Sequence, residues 1–140
     1  MSERDYNRQA LRRQKISKRT LIVGVDVGNA FNAVGFMNRD GNVLGSCAKP
    51  YNSWEGFEQF IEMIEGLKAK HHLRDVLIGM EPTGHYWRKL AYFAKEHGYE
   101  VRFVRTTALK HHRELDESSS YLGTPYWFFC FLVFPLFDFV

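Results

Sequence analysis

The chain has 140 residues, of which 45% are hydrophobic and 25% charged, and a formal net charge of +3. That size suits one domain with a sizeable core, and the balance excludes a disordered, collagen-like or disulfide-stapled chain. The charge is uneven: residues 1–20 carry seven Lys/Arg against two acids, a net of +5, and the remainder carries twelve against fourteen, a net of −2.

The basic excess therefore belongs to an N-terminal arm, residues 1–19. Arg4, Arg8 and Arg12 recur there every fourth residue, joined by Arg13, Lys15, Lys18 and Arg19. As a helix the arm would show one basic stripe. Two readings stand side by side: a solvated charged tail, or non-specific contact of these seven side chains with nucleic-acid phosphates. The arm does not read as a secretory signal. Cys47 and Cys130 lie far apart with no motif around either, which points to a reducing, cytoplasmic setting.

After the arm, "TLIVGVDV" (20–27) is rich in β-branched residues and predicts a buried strand. "NAFNAVGFMN" (29–38) predicts a second strand after a tight turn at Gly28 and Asn29. "NRDGNV" carries a turn signal, and "VLGSCAK" (43–49) completes a meander. Ser53 is a good N-cap for a helix on which Trp54, Phe57, Phe60, Ile61, Ile64 and Leu67 recur at helical spacing. "RDVLIGME" (74–81) predicts a fourth strand, ended by "PTG". "HYWRKLAYFAKEHG" (85–98) predicts a second helix with Gly98 at its end. "YEVRFVR" (99–105) alternates as a fifth strand, and "TTALKHHREL" (106–115) begins a third helix. The expected fold class is α/β: a mixed five-stranded sheet of ribonuclease-H-like order with flanking helices. His71-His72 and His111-His112 are adjacent pairs, not a chelating i, i+4 pair, and read as solvated helix ends.

In that order the first and fourth strands lie parallel and adjacent. Asp26 and Glu81 then fall at neighbouring carboxyl ends, where open α/β sheets build their sites. A charge on an apolar strand needs a partner or a metal. Two adjacent carboxylates suit Mg²⁺ or Mn²⁺, and paired ions of this kind serve phosphodiester chemistry. The plainer reading makes Asp26 a strand-end residue bonded to a turn and Glu81 an exposed acid in a turn. Of the aromatics that follow Glu81, His85 and Tyr86 read either as stacking partners for bases at a site mouth or, more commonly for such residues, as core or helix-start packing, and Trp87 is assigned to packing.

"GVDVGNAFNAVGFMNRDGNV", "IGMEPTGHYWRKLAYFAKEHGYEVRFV" and "KHHRELDESS" together resemble the N-terminal, RuvC-like domain of DEDD-type insertion-sequence transposases, relatives of Piv-type DNA invertases. The resemblance covers about residues 20–119. It implies that Asp26 and Glu81 are the first two acids of a catalytic, metal-binding tetrad that takes two Mg²⁺ or Mn²⁺ ions. It also implies DNA as substrate, in some members a guide RNA from the element, and full-length transposase as a homo-oligomeric partner. The family's last two aspartates are expected just after "ELDESS", followed by a domain carrying a catalytic serine. Here the sequence departs from the pattern: "YLGTPYWFFCFLVFPLFDFV" contains no Asp-x-x-Asp. Asp116 and Glu117 match the stretch before the missing pair and read as a solvated loop.

The expected function is therefore a DNA transposase, here an inactive N-terminal portion. One alternative is a fragment of an actin-like sugar or pantothenate kinase, whose phosphate loop "VGVDVGN" also resembles; no second Asp/Gly-rich phosphate loop follows. Another is a non-catalytic nucleic-acid-binding or inhibitory module. Residues 126–137 are uncharged and mostly apolar, but a membrane helix needs about 20 such residues. Pro135 interrupts this run and Asp138 ends it, so no membrane partner is expected. Residues 120–140 read as an aberrant hydrophobic tail, out of frame or encoded by a junction.

Overall fold

Thr20, Ile22, Val23, Val25 and Val27 branch at Cβ, which favours extended backbone, and strand β1 runs over Thr20–Val27 as the sequence predicts. The structure, a computed structural model, describes residues 2–4, 7, 16–82 and 84–103. After β1 come β2 (Asn32–Met37), α1 (Trp54–Lys70), β3 (Asp75–Met80), α2 (Trp87–Glu96) and β4 (Glu100–Phe103). The sheet order is β2-β1-β3-β4. β1 runs antiparallel to β2, from Ile22↔Met37 to Val27↔Asn32. It runs parallel to β3, from Thr20↔Asp75 to Val25↔Met80. A parallel pair needs a crossover, and α1 lies within the connection.

The expected five-strand count is corrected to four among the described residues. Segment 43–49, expected as the third strand, instead touches the β2 side of the sheet at isolated bridges: Met37↔Val43, Val34↔Ala48 and, just beyond, Phe31↔Tyr51. Gly45 adopts φ +68, which turns the chain out of the ladder. Pro50 offers no N–H and serves only as acceptor, from Asn32 N at 2.9 Å. The expected helix at 106–115 lies outside the described residues, as do Cys130, His111, His112, Asp116, Glu117 and the 120–140 segment.

α1 and α2 cover one face of the sheet. α1 begins as its cap predicts, Ser53 Oγ accepting from Gly56 N at 3.2 Å. It buries Phe57, Phe60 and Ile64 against Leu21, Val23 and Val25 of β1 and Val76, Ile78 and Met80 of β3. α2 adds Leu90, Ala91, Phe93 and Ala94 to that core. It starts at Trp87, two residues later than expected, with no side-chain cap. Trp87 packs edge-on to Phe103 at 4.9 Å and donates from Nε1 to Gly84 O at 3.1 Å, the packing role assigned to it. Trp54 shares the apolar spacing yet is 61% exposed, because it opens α1 at the rim of the core. Ile22, Met37 and Leu77 point to the second face and are also buried. Among the described residues no helix is long and apolar enough to cross a membrane.

Close backbone contact fixes the start of α1. A Cβ at Gly56 would lie 1.8 Å from Tyr51 O, whereas one at Gly66 would meet nothing within 4 Å. At the other end of α1, Glu65 accepts from the hydroxyl of Tyr99, which precedes β4. This bond holds the Glu65 carboxyl below its ordinary range, against some desolvation and with help from Lys68. Burial, then the Glu65 bond and charge, pushes the Tyr99 hydroxyl well above its own range.

Alanine improves helix propensity by about 1 kcal/mol over glycine, so Gly66→Ala should stabilise the chain by about that much in urea unfolding. Gly56→Ala should destabilise it by about 1–3 kcal/mol, because the clash with backbone outweighs propensity; equal shifts would refute the contact. The Glu65–Tyr99 contribution should be complete between the two unfolded-state pKa values, about 4.3 and 10. It should fade as pH falls through the depressed carboxyl pKa, and as pH rises above 10 toward the raised hydroxyl pKa. Urea midpoints against pH should show both limbs, and Tyr99→Phe should flatten them.

Candidate active site

The β1–β3 ladder ends at Val25↔Met80, and the next residue on each chain is an acid, Asp26 and Glu81. Extending the same register by one step sets them side by side on neighbouring strands, whose spacing is about 4.8 Å. Val25 and Met80 face the helices, so alternation turns Asp26 to the opposite face, and the same alternation carried one step past β3 would turn Glu81 there too. Both are half-buried.

The row behind them has no side chains. Gly24 pairs with Gly35 on one side and with Gly79 on the other. All three are buried and lie on the same face as the acids. Each acid thus follows a glycine by two positions, in "GVD" and "GME". Glycine inside a strand marks a place where something must come close to the backbone. The repeated spacing was a signal in the sequence, but it becomes a row only once the register is known.

The turn after Asp26 is held by asparagines. Asn32 is 1% exposed; its Oδ1 accepts from Gly28 N at 3.4 Å and its Nδ2 donates to Asn52 Oδ1 at 3.4 Å. Asn52 Nδ2 donates to Gly28 O at 2.9 Å, and Asn52 N donates to Ala30 O at 2.8 Å. A Cβ at Gly28 would lie 2.5 Å from Phe31 O, so glycine is required for the turn to close this tightly. Sequence reasoning missed this clamp because its two amides are twenty residues apart.

Among the arm residues, Arg4, Lys18 and Arg19 are exposed, while Arg8, Arg12, Arg13 and Lys15 lie outside the described residues. His85 and Tyr86 are exposed and stack on each other at 4.4 Å. His71 departs from the solvated reading: it is half-buried, and its Nε2 is a buried nitrogen without a hydrogen-bond partner. Among the described residues no three His, Cys, Asp or Glu side chains gather as a metal cluster. A cavity of about 490 Å³ opens at the other end of the sheet, beside Thr20 and Asp75. Its cations are neutralised by acids, Lys68 by Glu65 at 3.3 Å, Arg74 by Asp75 at 3.3 Å and Arg102 by Glu100 at 2.6 Å.

The DEDD-type IS110 family model, described as a transposase, matches residues 23–120. The chain belongs to this transposase family. No curated protein matches it. Among solved structures, it is similar to T. thermophilus RuvC in complex with Holliday junction substrate, at 12% identity and TM-score 0.51, over 84% of this chain and 91% of that one. That likeness shows the fold, the ribonuclease-H-like arrangement expected from the element order. YeaZ from Pseudomonas aeruginosa matches at 14% identity and TM-score 0.44, over 71% of this transposase chain and 50% of YeaZ. EutJ from Carboxydothermus hydrogenoformans matches at 21% identity and TM-score 0.40, over 68% of this chain and 40% of EutJ. The transposase chain thus spans half the length of YeaZ and less than half of EutJ.

The asparagine clamp is open to a direct check. Asn32→Ala leaves the Gly28 amide and the Asn52 amide short of a partner, which should cost about 1–3 kcal/mol in urea unfolding. Amide hydrogen exchange should quicken at Gly28 and stay unchanged in the middle of α1.

Proposed function

We propose that this chain carries the catalytic-domain core of a DNA transposase, with Asp26 and Glu81 as two carboxylates of a divalent-metal site for phosphodiester cleavage and strand transfer. The observation that carries the reading is the parallel β1–β3 register, which leads into both acids at the same step and on the same face. Family membership supports the substrate class.

The donor set fits the metal class. Paired carboxylates are hard oxygen ligands and match Mg²⁺ or Mn²⁺ rather than softer ions. Asp26 and Glu81 would hold an ion of this class, which would relieve their mutual repulsion and supply Lewis acidity for phosphodiester chemistry. The chain's own residues supply the rest. Asp26 and Glu81 offer their oxygens from strand ends fixed by the core. Asn32 and Asn52 lock the turn behind Asp26, which keeps that carboxylate in place. Arg4, Arg8, Arg12, Arg13, Lys15, Lys18 and Arg19 give the arm its attraction for DNA phosphates. Two carboxylates fall short of the tetrad that the family resemblance implies, and the sequence holds no Asp-x-x-Asp. The 140-residue chain alone therefore binds metal weakly and does not complete strand transfer.

Titration calorimetry with Mn²⁺ tests this. Wild type should give a weak saturable heat that Asp26→Ala and Glu81→Ala each remove, with unchanged circular dichroism. Equal heats from wild type and Asp26→Ala would refute the metal role.

A further inference from the structure

Phe31 and Tyr51 form a pair that the metal site does not use. They are 47% and 61% exposed, yet their rings lie 4.8 Å apart at 33°. Backbone holds them outward: Phe31 bridges Tyr51, and the flanking Asn32 N–Pro50 O and Asn52 N–Ala30 O bonds close the same segment. The missing Cβ atoms of Gly28 and Gly56 let the backbone at Phe31 and Tyr51 sit where it does. Asp26 pairs with Ala33, so Phe31, two positions along the same strand direction, takes the same parity and the same face as Asp26. Diagonal neighbours of that kind lie about 7–8 Å apart.

We infer that Phe31 and Tyr51 form a stacking platform for an unpaired nucleobase beside the carboxylate pair, an inference that rests on the DNA-processing reading above. Size and chemistry select the occupant. An aromatic side chain presents about 150–250 Å², so a half-exposed pair offers far less than the roughly 1,000 Å² that a stable protein interface needs. One base fits that area. The neighbours Asn29, Ala30, Asn52 and Ser53 carry no charge. Among them the Asn29 amide suits a base edge, while the Asn52 amide is already committed to Asn32 and Gly28. Stacking tolerates any base, because each has a π face, and it requires the base to be out of the duplex.

The test uses the full chain and a single-stranded oligothymidine carrying one 2-aminopurine, whose fluorescence falls on stacking, beside a fully paired duplex of equal length. Wild type should quench the probe. Tyr51→Ala should abolish the quench and weaken single-strand binding about tenfold, leaving duplex binding unchanged, while Tyr51→Phe should retain both. Tyr51→Leu, which still covers Phe31, should behave as Tyr51→Ala and guards against misfolding of the smaller variant. The platform is overturned by no quench with wild type, by a quench that survives Tyr51→Leu, or by equal losses on single strand and duplex. The carboxylate reading fails separately, through Mn²⁺ heats that Asp26→Ala does not change, and such a failure leaves the quench where it was.

Discussion

The parallel pairing of β1 with β3 is the constraint on which the rest depends. Strand side chains alternate with a period of two, so a slip of one residue would turn every β3 side chain to the wrong face. Val76, Ile78 and Met80 are buried against the helices in the observed register. Burying one such side chain contributes about 1.5–3 kcal/mol, so a slipped register would forfeit several kcal/mol of core. The same choice that buries Met80 aims Glu81 to the other face, and the choice that buries Val25 does so for Asp26. The placement of the two acids thereby depends on apolar packing one residue away.

That arrangement separates the two ends of the sheet. At the amino ends of β1 and β3, charges are numerous but matched in pairs around a cavity. At the carboxyl ends, Asp26 and Glu81 each follow the last residue of the β1–β3 ladder on their chain segment, next to a row of buried glycines. The turn that follows Asp26 is bonded through side-chain amides, which neither add nor remove charge. It can be rigid without disturbing the electrostatics of the acids.

The parts of this fold that were legible in the sequence are those whose signal is local. β1 was readable from its β-branched run, α1 from Ser53 and the spacing of Phe57, Phe60 and Ile64, and the carboxyl ends of β1 and β3 from Asp26 and Glu81 themselves. The edge segment was not, because "VLGSCAK" has strand composition while Gly45 and Pro50 break its pairing. Trp54 kept the helical period but sits where the core stops. The glycine row and the Asn32–Asn52 clamp were invisible for a different reason. Each joins positions far apart in the chain, and each single glycine or asparagine looks like an ordinary weak strand or turn residue until register brings it beside its partner.

"GVDVG" shows how these levels meet in five residues. Val25 and Val27 take the helix-facing parity and supply core contacts. Gly24, Asp26 and Gly28 take the other parity, and each serves the site face differently. Gly24 keeps the flank of the acid free of side chains, between Gly35 and Gly79. Gly28 lets the turn close against Phe31, with no room for a Cβ. A side chain at position 28 would move the backbone that carries both the end of the Asp26 strand and the Phe31–Tyr51 pair. Charge, open flank and aromatic pair are therefore not independent features of the surface. They are one face of a single strand and its turn, held in place by valines on the other.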